Sequence, residues 1–170
     1  MNMIKFFITS ALIVAVSLLQ AQTPEIPAEY EWTVAEDYRK AESHIEKCLK
    51  WLCVTPLGEH VALRSETNAY VLTWLSGTPD YAIDVPSYYV QLIGENKELL
   101  YSYIHGAAYY LMNHITAKNP DKIDLEACKV VCELMLSSEK FSKDRTFKSM
   151  LKAYKKGKLE AFVKEQKAGK

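Results

Sequence analysis

Four cysteines and a histidine are the residues of this 170-residue chain that are best suited to chemistry. The cysteines occupy positions 48, 53, 128 and 132, and His44 lies one helical turn before Cys48. His44 and Cys48 could bind zinc together with the two later cysteines. The spacings from Cys48 to Cys53 and from Cys128 to Cys132 are not the C-x-x-C of redox and haem motifs. A cysteine in an apolar helical stripe usually behaves as a small hydrophobic residue. These residues therefore have three alternative roles, as buried free thiols, in a disulfide or in a metal site. Of the three, the metal site is the one that we do not predict, and we predict no cofactor.

A disulfide in this chain would have to join two different helices. Residues four apart on a helix have Cβ atoms about 5–6 Å apart, whereas a disulfide needs about 3.5–4.5 Å. Cys128 and Cys132 have that spacing, so they should not pair with each other. We therefore predict that a bridge would connect Cys48 with Cys128 or Cys132.

Three residues of a later segment form the candidate ligand pocket. Tyr101, His105 and Tyr109 repeat every four residues, so they share one face of a helix. A histidine beside tyrosine hydroxyls can do acid–base work or line a ligand site, and the same pattern is also typical of a histidine in a tyrosine-rich core. The usual nucleotide, hydrolase and metalloprotease motifs are absent from the sequence. We therefore predict no catalytic residue and favour a protein that is not an enzyme.

These residues lie on a series of predicted helices. Apolar residues recur with helical period in segments that end at proline or glycine signals; the predicted segments are 34–53, 60–76, 97–115, 122–138, 143–155 and 158–167. Residues 81–86 are predicted to be an extended linker, and residues 88–93 a short helical turn. The fold class is all-α, a single irregular bundle of five or six helices. Tetratricopeptide-like stacking of helical hairpins is the alternative, although no internal period stands out.

The first 21 residues are predicted to be a signal peptide. Lys5 precedes an apolar run over residues 6–19, and Ala21 offers a small residue for cleavage. The run is shorter than the about 20 residues of a membrane span. Cleavage would leave an extended leader over residues 22–32 and a helical domain over residues 33–170. We expect an exported protein of the periplasm or the extracellular space that is soluble and has no integral membrane anchor.

Charge is distributed unevenly along the chain. Residues 23–137 carry 9 basic and 17 acidic side chains, whereas residues 138–170 carry 11 basic and 4 acidic ones. The overall proportions, 49% hydrophobic and 25% charged, are those of a globular domain. The basic helical part, residues 142–170, lacks the interleaved aromatics of nucleic-acid binders and follows an export signal, so we predict no nucleic-acid partner. An unknown envelope protein or an anionic surface is the expected partner.

Several short strings resemble a known group of proteins. Cys48–Leu52, Thr55–Leu57 and Asn68–Pro79 are similar to a family of small exported helical proteins from Bacteroidota-type Gram-negative bacteria. The ending Gln20-Ala21-Gln22 is similar to the signal peptides of that family. The resemblance implies export. It implies no activity and no role for any residue, because the family has no assigned function.

The features together predict a non-enzymatic binding or interaction module. Its mechanism would be the burial of a partner against a helical groove, with the basic C-terminal helices steering the encounter electrostatically. The alternative is a small-ligand carrier or an enzyme whose pocket is lined by the tyrosines near His105.

Overall fold

The computed structural model describes residues 23–116, 119–138 and 147–169. These ranges contain seven helices and no strand, which confirms the predicted all-α fold with at least one helix more than expected. The helices are α1 (Ala35–Val54), α2 (Val61–Gly77), α3 (Ser87–Ile93), α4 (Lys97–Asn113), α5 (Pro120–Leu136), α6 (Lys148–Lys155) and α7 (Leu159–Lys167). The predicted signal peptide, residues 1–21, lies outside the described residues. Within them, no helix is long and apolar enough to span a membrane.

Helix α1 begins where an acidic side chain binds the free amides of the chain before it. The Asp37 carboxylate accepts hydrogen bonds from the backbone amides of Thr33 and Val34, both at 3.2 Å. These bonds satisfy donors that have no partner inside the helix. The spacing of Thr33 and Glu36 predicts the same kind of cap one residue earlier, and the structure gives that role to Asp37.

The core consists of two hydrophobic clusters. The α1–α2 cluster contains Ile45, Cys48, Leu49, Trp51, Leu52, Tyr70, Val71, Trp74 and Ala108. The α4–α5 cluster includes Tyr89, Leu99, Tyr103, Ala107, Cys128, Val131, Cys132, Met135, Phe147, Met150, Leu159 and Val163. Helix α4 contributes to both clusters, which agrees with apolar residues on nearly every side of it. Helix α4 is therefore the central helix of the bundle.

Helices α4 and α5 cross closely at a glycine. A Cβ atom added to Gly106 would lie 3.0 Å from the Ala127 Cα and 3.0 Å from the Val130 Cβ. Only a residue without a side chain permits this backbone approach. The crossing brings the N-terminal half of α5 against α4, where the polar network described below is located.

Helices α6 and α7 form a short hairpin that covers the α4–α5 cluster. Met150 and Leu151 of α6 and Leu159 and Val163 of α7 are buried in that cluster. Gly157, at φ 66°, makes the turn between the two helices.

On α5, the periodicity predicts Leu136 in the buried stripe, but its exposed fraction is 37%, because it is the last residue of the helix.

Candidate functional site

The three residues of the predicted ligand pocket do not line the cavity that the structure shows beside the same helix. His105 is buried, with 1% exposed, while Tyr101 and Tyr109 are half-buried. A cavity of about 230 Å³ lies beside α4 and has none of these three in its wall. It is lined by Leu72, Leu75, Ser76, Tyr81, Ile83 and Ile104. The cavity is therefore an apolar groove with one serine, on a different face of α4.

His105 is held in a form that does not take up a proton near neutral pH. Neither ring nitrogen has a hydrogen-bond partner among the described residues. Burial, reinforced by the nearby positive charge of Arg64, lowers the pKa of His105 to about 3. A base with so low a pKa is poorly matched to acid–base catalysis at pH 7.

Arg64 is a buried cation at the C-terminal end of α1. Its guanidinium donates hydrogen bonds to the backbone carbonyls of Leu52 (3.3 Å) and Thr55, and it lies 5.7 Å from the centre of the Trp51 ring. The last carbonyls of a helix lack intrahelical partners and carry partial negative charge. They therefore compensate the arginine in place of a carboxylate, and Arg64 has a structural role in joining α1 to α2.

All four cysteines are buried free thiols in this structure. Burial raises the pKa of Cys48 to about 11 and that of Cys53 and Cys132 to about 12, and it also raises the pKa of Cys128. Such thiols are poor nucleophiles and poor metal ligands. Within the described ranges, no group of three or more metal-binding side chains is placed to hold an ion. The pairing of Cys48 with Cys128 or Cys132 stays a prediction.

A buried carboxylate on α5 accepts hydrogen bonds from side chains of two other helices of the bundle. Asp124, on α5, is 2% exposed, and its Oδ1 accepts hydrogen bonds from the hydroxyls of Tyr88 (2.7 Å) and Tyr103 (2.8 Å). The Cys128 Sγ lies 3.7 Å from the same oxygen. Burial, reinforced by the neighbouring Cys128 and Asp124, raises the pKa of both tyrosines well above the ordinary value. The tyrosines thus stay protonated and act as donors, and the carboxylate connects α3, α4 and α5.

The charge of Asp124 is compensated by the last turn of the C-terminal helix. The Lys167 Nζ lies 2.9 Å from Asp124 Oδ2 and 2.9 Å from Asp121 Oδ1. Burial favours a lower pKa for Lys167, but its contacts with Asp121 and Asp124 outweigh this and raise the pKa. Helix α7 is therefore attached to α5 by a charged contact as well as by Leu159 and Val163.

Asp124 is a site residue that no sequence motif identifies. The available signal is its register, since it lies four residues before Cys128 and seven before Val131 on the buried stripe of α5. An acidic residue at such a position must be compensated when the stripe is buried. Tyr88 and Tyr103 cannot be assigned as its partners from periodicity, because they come from two other helices.

The lysines of the α6–α7 hairpin fall into two groups. Lys164 and Lys167 contact Glu160, Asp121 and Asp124. The other five are exposed and form no ion pair within the part of the chain that the structure describes. We call these five the lysine face: Lys148, Lys152, Lys155, Lys156 and Lys158. Spacings of four and three residues place the first three on one side of α6.

The comparisons with known proteins give no further assignment. No family model, no curated protein and no solved structure matches this chain. The resemblance to small exported proteins of Bacteroidota-type bacteria stays a prediction. Functional conclusions therefore depend on the geometry and charge of the chain itself.

Proposed function

We propose that this protein is an exported, non-enzymatic interaction module that binds an acidic face of a partner protein through its C-terminal hairpin. The lysine face carries the proposal. Five exposed lysines within eleven residues, none of them paired with a described carboxylate, leave a concentrated positive charge on one short hairpin. A patch of one sign steers a partner of the opposite sign and raises the association rate.

The part of the chain before the lysine face has the opposite charge balance. Residues 23–137 carry 17 acidic and 9 basic side chains, so the lysine face belongs to a molecule that is otherwise acidic. Such a charge distribution favours one orientation of approach and discourages a like-charged surface from docking there. Export is supported by the apolar run over residues 6–19 and by the resemblance of Gln20-Ala21-Gln22 to the signal peptides of the small exported proteins from Bacteroidota-type bacteria.

The packing of the hairpin also supports a binding role. Buried apolar residues of α6 and α7 fix the hairpin on the α4–α5 cluster, and the lysines stand on its outer side. A partner therefore meets a backbone that is positioned before binding, so little backbone entropy is lost on association. The buried thiols and the low pKa of His105 provide no competing catalytic group.

Charge reversal at three lysines tests the proposal. The triple variant Lys148→Glu, Lys152→Glu, Lys155→Glu changes the lysine face, and Lys40→Glu, Lys47→Glu, Lys50→Glu makes the same charge change on exposed residues of α1. Both variants are compared with the wild type in pull-downs from the source envelope, quantified by mass spectrometry. We expect the first variant to lose its acidic partner at least tenfold and the α1 variant to retain it.

Two results would contradict this function. One is equal recovery of all partners by the α6 variant, with circular dichroism showing that it is folded. The other is salt-sensitive binding of the wild type to vesicles of anionic lipid with no protein partner, which would make the lysine face a membrane-surface contact instead.

A further inference from the structure

The segment that leads into α1 presents an acidic surface with an exposed aromatic ring. Residues 23–37 contain five acidic side chains and no basic one. Asp37 is used by the cap of α1. The other four are exposed and form no ion pair with a described residue: Glu25, Glu29, Glu31 and Glu36. We call residues 23–37 the acidic leader.

Aromatic packing holds the acidic leader on the bundle and leaves one ring accessible. Trp32 packs against the α1–α2 cluster, with its ring centre 5.2 Å from that of Tyr70. The Tyr30 ring centre lies 4.9 Å from that of Trp32 and 4.7 Å from that of Tyr70, yet Tyr30 is 40% exposed. In the sequence, Tyr30 stands between Glu29 and Glu31. The acidic leader therefore presents both carboxylates and a π face, and each of these groups attracts a lysine ammonium.

The lysine face is the complementary surface on the same chain. Residues 148–158 carry five lysines and no acidic side chain. The acidic leader packs on the α1–α2 cluster, whereas the lysine face belongs to the hairpin that covers the α4–α5 cluster. Among the described residues of one copy, no ion pair joins the two surfaces. Each surface is therefore free to contact its counterpart on another copy.

We propose that the acidic leader is a second docking surface of this protein and that its occupant is the lysine face of a second copy. The unpaired carboxylates of one surface and the unpaired lysines of the other are opposite in sign and similar in number. Because the two surfaces differ, the contact is head to tail and can add further copies as a ring or an open chain. The inference rests on the proposed function, since it uses the lysine face as a binding surface and names one of its occupants.

Sedimentation equilibrium of the purified protein measures this association directly. Exposed ion pairs contribute little individually and are screened by salt, so the association should be weak and salt-dependent. In low salt, we expect the weight-average mass to rise with concentration to at least twice the monomer mass. In high salt, it should return to the monomer mass. A wild type that stays monomeric in low salt would overturn the proposal.

A pair of charge-reversed variants assigns the association to the two surfaces. The α6 variant described above reverses the lysine face, and Glu25→Lys, Glu29→Lys, Glu31→Lys reverses the acidic leader. We expect each variant alone to remain monomeric, because both of its surfaces then carry the same sign of charge. An equimolar mixture should regain association, because the acidic leader of the first variant meets the lysine face of the second.

Two control variants change the same number of charges elsewhere. They are the α1 variant described above and Glu59→Lys, Glu66→Lys, Glu95→Lys, which alters exposed glutamates outside the acidic leader. Both should associate as the wild type does. Association that persists in either surface variant alone, or that is absent from the mixture, would overturn the proposal.

Carbodiimide coupling of the wild type covers the case in which a variant does not fold. The reagent links a carboxylate to an amine that touches it, and an equal mixture of unlabelled and nitrogen-15-labelled protein identifies links between copies. We expect isotopically mixed links from Glu29 or Glu31 to the lysine face. Mixed links confined to other residues, or no mixed links in low salt, would overturn the proposal.

The second copy and the envelope partner are tested separately. Sedimentation uses the purified protein alone, whereas the pull-down reports other proteins. A monomeric wild type whose α6 variant still loses an acidic envelope partner would overturn only the second copy as an occupant of the lysine face. Association of copies with no envelope partner recovered would contradict only the partner protein of the proposed function.

Discussion

Lys167 Nζ lies 2.9 Å from Asp124 Oδ2. Among the described residues, Lys167 is the only cation in contact with this buried carboxylate, and it precedes the last residue of the sequence by three positions. Asp124 in turn holds Tyr88 of α3 and Tyr103 of α4. The C-terminal helix is thereby connected to the interior of the bundle through one side chain. Removing the charge of Asp124 should therefore lower the free energy of unfolding, whereas removing the exposed charge of Asp121 should change it little.

Asp124→Asn should therefore destabilise the fold by about 1.5–3 kcal/mol, the range for hydrogen bonds that involve a charged group. Its matched control is Asp121→Asn on the same helix, where the side chain is 69% exposed and the expected change is within about 0.5 kcal/mol. Urea unfolding measures both free energies. Equal losses in the two variants would show that burial of Asp124 has no energetic consequence.

Gly106→Ala tests the close crossing of α4 and α5. Helix propensity alone favours alanine by about 1 kcal/mol, but the added Cβ would lie 3.0 Å from Ala127 Cα and Val130 Cβ. Overpacking of this kind costs about 1–3 kcal/mol, so we expect a net loss of about 1–2 kcal/mol in urea unfolding. A net gain in stability would mean that the two helices separate without cost.

His105 should make the protein sensitive to acid. Its pKa falls from 6.5 to about 3 on folding, so between these values the unfolded chain binds more protons than the folded one. Stability should therefore fall as the pH drops below 6.5, by at most about 1.4 kcal/mol per pH unit from this group, and should not depend on this group above pH 6.5. His105→Leu should remove that slope. Parallel stability curves for wild type and variant from pH 7.5 to 5 would disprove the assignment.

The thiols should react only when the protein unfolds. With pKa values of about 11 for Cys48 and about 12 for Cys53 and Cys132, and with all four cysteines buried, very little thiolate is accessible at pH 8. We expect Ellman's reagent to titrate four thiols in denaturant without reductant, and to react with the native protein at the rate of unfolding. A count of two would instead establish a disulfide, for which Cys48 with Cys128 or Cys132 is the predicted pairing.

Much of the fold follows from local sequence signals. Apolar periodicity predicts α1, α2 and α4 within two residues at each end, and Gly106 indicates the close helix approach. Helix α3 is predicted only as a turn, because seven residues carry too little periodicity for a longer element. The predicted start of α5 at residue 122 makes Asp121 the expected N-cap, but Pro120 begins the helix two residues earlier and the side chain of Asn119 caps it.

The site is less predictable, for a physical reason. The network around Asp124 joins residues 21 and 36 positions away, and such contacts depend on how the helices cross. Periodicity identifies which face of a helix is buried, but it does not identify the residues that meet there. The same limit applies to His105, whose burial is compatible with its pattern, while its lack of a hydrogen-bond partner is visible only in three dimensions.

The most direct measurement of the central claim is site-specific crosslinking in the source organism. A photo-reactive residue at Lys152 lies within the lysine face, and one at Lys47 on α1 serves as the exposed control. We expect position 152 to crosslink one partner through a segment rich in aspartate and glutamate, with a yield that falls at least tenfold when Lys148→Glu and Lys155→Glu are added. The same products from position 47, or a yield unaffected by charge reversal, would contradict an interaction through the lysine face.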